Sequence, residues 1–421
     1  MNSMTRFVVL SILSLSMALA LTACSSDPTP TAVPKAAPTE TPVPKPTATT
    51  APGVPTPTPA PAPTATPVPK ATPSSRDFEA YFSKETITIN VGFSPGGGYD
   101  TFSRLVAKFI PRYIPGKPRT IVRNLPGGGG ERMLVDFGAH AKPTGLELAI
   151  IHPRFFKREL LGDDVPEFDI ATINILGTPS AAETSAASYM KRSRLDEYGV
   201  THDWAGVLEM IDKRGTPLTD GGTAPGDSGA FASSFMEALG APIKMVFGYG
   251  GSAEIASAFD RGELDTGGGS KVEALGLFPE WIDGQVLVPI FRYGADPADD
   301  PDFVDYITNI LGEEIPPHVF DLIETTQGQR DIFRLTETVN DVLSRVFALP
   351  PDTPDDIVEF WKVQFKAIVA DPEFVEAAER LGRPVQYASP ESMIAALDAG
   401  RQALEVPELR TLFATIAGAA E

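Results

Sequence analysis

The stretch that decides the fold is GFSPGGGYDTFSRLVAKFI, which runs from Gly92 to Ile110. The residues that lead into it, Ile87–Phe93, alternate apolar and polar side chains with the period of a β-strand. Beyond the glycines, apolar residues recur at helical spacing: Phe102, Leu105, Val106, Phe109 and Ile110. The change of period across Pro95–Gly98 predicts a strand, a glycine loop and a helix in succession.

The same unit follows a second time. Thr120–Arg123 has the pattern of a strand, Asn124–Gly130 is a second glycine loop, and a helix is expected from Glu131 to about Ala141. A third strand, Leu146–Ile151, ends at His152. This alternation predicts an α/β domain with a parallel sheet. Because ligands bind outside the carboxyl ends of such strands, both glycine loops are candidate binding loops.

Three kinds of site contain glycine loops of this sort: nucleotide sites, ester-hydrolysing sites and small-anion sites. Gly128–Gly130 is not followed by the Lys-Ser/Thr of a phosphate-binding loop, and neither loop fits GxGxxG. Gly92–Gly96 does fit the esterase pattern G-x-S-x-G around Ser94. However, Pro95 has no N–H to donate to an oxyanion, and the chain has only four histidines. A secreted esterase that uses Ser94 stays an alternative.

A small anion fits the loops best. Glycines let the backbone approach a ligand closely, and the helix behind them offers free N–H groups and about half a positive charge. Such a site holds a carboxylate without an arginine. Asp100 is expected either to cap the helix with its side chain or to contact a hydroxyl or ammonium group of the ligand.

Composition excludes other classes of protein. The formal net charge of −20 argues against nucleic acid or an anionic membrane surface as the main partner. The single cysteine, Cys24, rules out an internal disulfide and a cysteine metal site.

The first 75 residues are predicted to be an export and anchoring region. Residues 1–23 have the short apolar run of a signal peptide, and Leu21–Cys24 resembles a bacterial lipobox, so Cys24 is expected to be lipidated. Residues 24–75 are rich in proline and threonine and predict a disordered, extended linker. The globular part is therefore expected to stand outside the cytoplasm as a membrane-anchored lipoprotein, in the periplasm or on the cell surface.

Several segments in order resemble one known family. The segments are Ser94–Asp100, Arg123–Gly130, Gly222–Ala232, Phe247–Ile255, Ala258–Asp265 and Phe347–Asp356. Together they resemble the solute-binding receptors of tripartite tricarboxylate transporters over about residues 85–421. The resemblance implies a two-lobed α/β fold of the type II periplasmic binding proteins, with a hinge. It places 85–180 and 333–421 in one lobe and 181–332 in the other.

The resemblance also implies a function. It implies a monomeric receptor without a cofactor or metal, not an enzyme, that captures a small organic acid and delivers it to membrane permease subunits. A sensor or scaffold that kept the fold but lost transport is a further alternative. Carried over to this chain, the ligand-binding residues are Ser94, Gly96, Gly97, Gly98, Asp100, His152, Gly226, Asp227, Ser228, Gly229, Tyr249, Gly250 and Gly251.

Some positions depart from the family's pattern. Asp227 stands where the family has small neutral residues, Gly250 replaces a lysine, and His152 follows the third strand in place of a small residue. A carboxylate beside an acidic ligand is unfavourable. Asp227 is therefore expected either to face away as a helix cap or to meet a cationic group of the ligand.

Two helices are predicted near the end of the chain. Thr353 is expected to cap a helix that has proline at its first position, and Ser389 is expected to cap another. Trp361 falls on the apolar face of the first and is expected in the core.

Overall fold

The computed structural model describes residues 76–163, 168–180, 185–269, 281, 286–381 and 383–416. The predicted signal peptide, Cys24 and the linker lie outside them. The strands are β1 Thr86–Val91, β2 Arg119–Asn124, β3 Glu147–Ile151, β4 Asn174–Gly177, β5 Ser185–Lys191, β6 Leu218–Gly222, β7 Ile243–Phe247, β8 Thr266–Gly269, β9 Leu287–Gly294 and β10 Val346–Leu349.

One helix precedes the first strand, and the others lie between and after the strands. They are α1 Phe78–Phe82, α2 Gly98–Tyr113, α3 Glu131–His140, α4 Pro153–Leu161, α5 Arg192–Tyr198, α6 Trp204–Arg214, α7 Ser228–Ala238, α8 Ser252–Asp260, α9 Pro301–Asp305, α10 Val319–Leu322, α11 Gln327–Val342, α12 Asp355–Val369, α13 Pro372–Arg380, α14 Pro390–Ala403 and α15 Pro407–Ile416. No helix among the described residues is long and apolar enough to cross a membrane.

The first lobe is built on a five-stranded sheet of order β2-β1-β3-β10-β4. β1 pairs in parallel with both β2 and β3, as the sequence predicts. β10 differs, since it is antiparallel to β3 and to β4. It comes from the far end of the chain, so local periodicity carries no information on its direction. Ile87, Ile89 and Val91 of β1 are fully buried against α2 and the tail helices, and Trp361 is buried too, as expected.

The two predicted tail helices differ in how they begin. Ser389 caps α14 by accepting from the N–H of Ser392, as expected. The expectation for Thr353 is wrong by one residue, because Pro354 is the cap of α12 and makes no side-chain bond there. The Thr353 hydroxyl instead donates to the carbonyl of Pro350 at 2.8 Å, which fixes the turn before the helix.

The second lobe contains two small sheets. β8, β5 and β9 form an antiparallel sheet, and β6 pairs in parallel with β7. The backbone N–H of Asp265 donates to the carbonyl of Thr219 at 2.9 Å, which ties the start of β8 to β6. The β6–α7 and β7–α8 connections are the glycine loops of this lobe.

The chain passes between the lobes twice, after β4 and before β10, and the two crossings lie side by side. Thr178 Oγ1 donates to the carbonyl of Ser344, and Arg345 Nη1 donates to Ser180 Oγ at 3.0 Å. An apolar cluster that includes Phe156 of α4 and Phe235 of α7 is shared by the two lobes. The exact domain limits expected from the sequence stay a prediction.

Candidate functional site

The first glycine loop is closed by a carboxylate of its own helix. α2 begins after Gly97, whose lack of a side chain leaves the helix without a side-chain cap. Asp100 reaches back instead: its Oδ2 accepts from the N–H of Gly96 at 2.9 Å and from Arg104 Nε at 2.8 Å. Its Oδ1 accepts from Asn124 Nδ2 at 2.9 Å. The expectation that Asp100 caps the helix is wrong, because Gly97 is the cap residue and no side chain caps α2. The Asp100 carboxylate instead closes the loop before the helix.

The electrostatics of Asp100 agree with this role. Burial would raise its pKa, but the hydrogen bonds from Arg104, Gly96 and Asn124 outweigh burial and hold the pKa below its usual value. The carboxylate is therefore ionised, and both of its oxygens already accept hydrogen bonds. Gly96 has a φ of 93°, a backbone conformation that favours glycine, and this turn directs its N–H to Asp100.

The loop between β7 and α8 repeats this arrangement in the second lobe. α8 begins after Gly251, again without a side-chain cap, and Glu254 Oε2 accepts from the N–H of Gly250 at 2.8 Å. Its other oxygen, Oε1, accepts from Ser94 Oγ of the first lobe at 2.6 Å. The hydrogen bonds from Ser94 and Gly250 lower the pKa of Glu254. Glu254, which sequence reasoning missed, thus bridges the lobes.

A second contact runs between the same two loops. The N–H of Ser94 donates to the carbonyl of Gly250 at 2.7 Å. A Cβ at Gly97 would lie 3.3 Å from Ser252 Oγ, so the backbone of the first loop lies directly against the start of α8. Ser94, Gly97, Gly250 and Gly251 are therefore brought together.

The loop between β6 and α7 faces other residues of the first lobe. Lys157 Nζ of α4 donates to the carbonyl of Gly226 at 2.7 Å. A Cβ at Gly129 would lie 2.7 Å from the Cβ of Ala224, so the second glycine loop of the first lobe also touches this connection. Asp227 is buried, and its Oδ2 accepts from the backbone N–H and, at 2.9 Å, from the hydroxyl of Thr223. Asp227 is therefore held within its own loop.

Two buried cations of α4 were not anticipated from the sequence. Lys157 is fully buried; burial lowers its pKa to about 8, while the nearby Asp227 opposes the shift. Arg154 is also buried, and its Nη1 donates to the carbonyl of Gly128 at 2.5 Å and lies 3.7 Å from Glu131. The overall charge of −20 gives no sign of buried cations. Helical spacing does not reveal them either, because it does not distinguish a buried lysine from one whose ammonium group reaches solvent.

His152 lies at the start of α4, between the glycine loops and these cations. Its Nδ1 accepts from the N–H of Arg154 at 3.0 Å, which makes it the cap of the helix. Its ring lies 5.6 Å from that of Phe93 and 5.5 Å from that of Tyr99. Burial, then the charges of Lys157, Arg154 and Arg345, hold the pKa of His152 well below its usual value. The imidazole is therefore neutral near pH 7.

This arrangement predicts an acid-side loss of stability that depends on His152. Below pH 6.5 the histidine of the unfolded chain takes up a proton and the buried one does not, so the free energy of unfolding falls as pH falls. In His152→Asn the amide oxygen can still accept from the N–H of Arg154 and so cap the helix. Because asparagine does not titrate, the part of the acid-side decline in unfolding free energy that is due to His152 should disappear. Denaturant titrations of both proteins between pH 7 and 5 test this: the variant should show the shallower decline, and equal slopes would contradict the assignment.

The remaining expected residues lie around the same loops. Tyr249 is partly buried and packs on the apolar cluster of the second lobe. Ser228 and Gly229 begin α7, where the helix N-terminus adjoins Gly226.

Among the described residues no group of three or more histidine, cysteine or acidic side chains could hold a metal ion. Ser94 Oγ donates to a carboxylate, and His152 Nδ1 is occupied by the helix, so the described residues do not support a Ser–His pair.

Comparison with known proteins identifies the fold. No family model matches the chain, and no curated protein does either. Solved structures do. The periplasmic binding protein BugD superimposes with a TM-score of 0.56 at 17% identity, over 80% of this chain and 99% of its own. The chain has the fold of a periplasmic binding protein.

Two proteins of Rhodopseudomonas palustris share this fold. One, solved with adipate, has a TM-score of 0.56 and 17% identity, and covers 79% of this chain and 97% of its own. The other, MatC with bound malate, has a TM-score of 0.54 and 15% identity, and covers 78% and 99%. The two-lobed fold expected from the sequence is confirmed, and the resemblance to receptors of tripartite tricarboxylate transporters is confirmed in fold.

Proposed function

We propose that the chain is an extracytoplasmic solute-binding receptor that captures a small organic anion between its two lobes. The observation that carries the proposal is the meeting of the loops. Ser94 and Gly97 of the first lobe lie against Gly250 and Ser252 of the second. A ligand in contact with both sides binds the closed arrangement better than the open one, and this difference drives closure.

The donors available to an anion differ from those expected. The N–H groups of Gly96 and Gly250 are taken by Asp100 and Glu254. The first N–H groups of a helix have no partner within it, so the starts of α2, α7 and α8 supply the remaining main-chain donors. Together with the helix dipoles they favour a carboxylate.

The proposed cellular role combines ligand binding with attachment to a membrane. We propose that Cys24 carries the lipid anchor, that residues 24–75 act as the spacer, and that the closed receptor docks on membrane permease subunits as a monomer. The lipobox-like sequence and the proline-rich composition support the anchor and the spacer. Fold neighbours solved with adipate and malate support an organic acid as the ligand.

Ligand-dependent stabilisation tests the proposal. A ligand present at 100 times its Kd should raise the free energy of unfolding by about 2.7 kcal/mol. Thermal unfolding should be followed with di- and tricarboxylates, aromatic acids and amino acids. A rise with at least one acid, and none with matched neutral amides, is expected. The absence of any rise, together with hydrolysis of a chromogenic ester that Ser94→Ala abolishes, would establish the esterase alternative instead.

A further inference from the structure

A carboxylate of the second lobe reaches across to the first at the edge of the meeting loops. Glu254 Oε1 accepts from the hydroxyl of Ser94 in the first lobe at 2.6 Å, and Oε2 accepts from the N–H of Gly250 at 2.8 Å. Glu254 is exposed, whereas Gly97 and Gly251 of the same two loops are buried. The contact therefore lies on the solvent side of the loops, and the lobes cannot separate there without breaking it.

This contact fills the space that a side chain at position 250 would need. A Cβ at Gly250 would lie 2.1 Å from Ser94 Oγ and 2.5 Å from Glu254 Oε1. Both distances are well below the separation of about 3.5–4 Å at which non-bonded atoms pack. The φ of Gly250 lies outside the left-handed region, so the backbone alone does not require glycine here. The Ser94–Glu254 contact is what requires a residue without a side chain at this position.

The main chain adds a second bond between the lobes at the same point. The N–H of Ser94 donates to the carbonyl of Gly250 at 2.7 Å, so Ser94 gives both its N–H and its hydroxyl to the second lobe. Hydrogen bonds to a carboxylate are stronger than those between neutral groups. The donors that lower the pKa of Glu254 also keep it ionised at neutral pH. Every atom of this arrangement belongs to the protein, so the contact can form without a solute.

We propose that Ser94, Gly250 and Glu254 form a latch that holds the two lobes closed without a solute and slows their reopening. The inference goes beyond the proposed function, because it concerns the equilibrium between open and closed lobes before any ligand binds. The latch supplies part of the free energy of closure, and a solute adds only its own difference in affinity for the two states. A solute enters or leaves the cleft only while the latch is open.

Single-molecule fluorescence energy transfer on the full chain tests the latch. Cys24→Ser removes the only cysteine, and Ala139→Cys in α3 and Ala205→Cys in α6 place one dye at an exposed helical position of each lobe. Without added solute, the chain with an intact latch should be mostly closed. Glu254→Gln keeps the shape but has one acceptor oxygen in place of two. It should lower the ratio of closed to open molecules by about three- to ten-fold, the scale of one net hydrogen bond, mainly through faster opening.

Further variants separate the latch from other effects. Ser94→Ala should give a similar shift, and its combination with Glu254→Gln should shift the ratio no further than either change alone, since both act through one bond. Gly250→Ala keeps both partners but places a Cβ between them, and should have at least as large an effect. Glu263→Gln is the matched control: this exposed carboxylate accepts from Arg261 of its own lobe at 2.6 Å, and its loss should leave the ratio unchanged. Circular dichroism of each variant should show a folded chain.

The latch and the proposed function can fail separately. An unchanged ratio and opening rate in both Glu254→Gln and Ser94→Ala would overturn the latch. Shifts that add in the double variant would also overturn it, because they show two independent effects, and so would a chain with an intact latch that is found only open. Saturating adipate should raise the closed fraction of every variant. If neither adipate nor any other acid of the panel changes the distribution, the receptor function fails while the latch stands.

Discussion

Gly97→Val is expected to weaken ligand binding by at least about 100-fold, a change of about 2.7 kcal/mol or more. Even a Cβ at this position would lie 3.3 Å from Ser252 Oγ and 3.9 Å from the N–H nitrogen of Ser252. The two methyl groups of valine extend further toward α8 and hold the lobes apart. Calorimetry with the acid that stabilises the wild-type chain measures the loss.

The same variant should remain folded. Gly97 has φ −76° and ψ 175°, an extended conformation that valine adopts readily. The cost to α2 is that of a poor cap residue, about 1 kcal/mol. Gly97→Ala should have a smaller effect on binding, and adding Ser252→Gly to either variant should recover part of the affinity because it removes the nearest atom. If Gly97→Val binds as the wild-type chain does, the two loops do not close on the ligand.

Local sequence patterns predicted the glycine loops but not the residues that contact them. The switch of period at Pro95–Gly98 predicts β1 and α2, since both are encoded by neighbouring residues. β10 could not be oriented, because it pairs with β3 and β4 from the far end of the chain. The loops were also expected to offer their N–H groups to a ligand, yet Asp100 and Glu254 occupy two of them.

Local sequence patterns also did not predict which lysine and arginine side chains lie near the glycine loops. Lys157, Arg345 and Arg383 come from separate segments, and nothing in the residues beside them shows that they approach the glycine loops. The expectation of a carboxylate site without arginine followed from the loop sequence alone. Only the tertiary structure places two guanidinium groups beside Gly98.

Lys157→Met is expected to lower the free energy of unfolding by about 1–3 kcal/mol, the cost of leaving a buried acceptor, the carbonyl of Gly226, without its donor. Methionine has nearly the same length and fills the space, so a cavity contributes little. The loss has two sources: the carbonyl of Gly226 loses its donor, and the buried Asp227 loses the nearby positive charge. Urea denaturation of the wild-type chain and the variant measures it.

Two comparisons separate the contribution of charge from that of the lost hydrogen bond. The double variant Lys157→Met with Asp227→Asn should recover at least half of it, because no isolated charge is then left in the interior. The pH dependence gives the second comparison. Between about pH 8 and 10.5 the folded chain has released the Lys157 proton and the unfolded chain still holds it, so the free energy of unfolding rises with pH. The wild-type chain should show this rise relative to Lys157→Met; parallel curves would mean that Lys157 is not buried as a charged group.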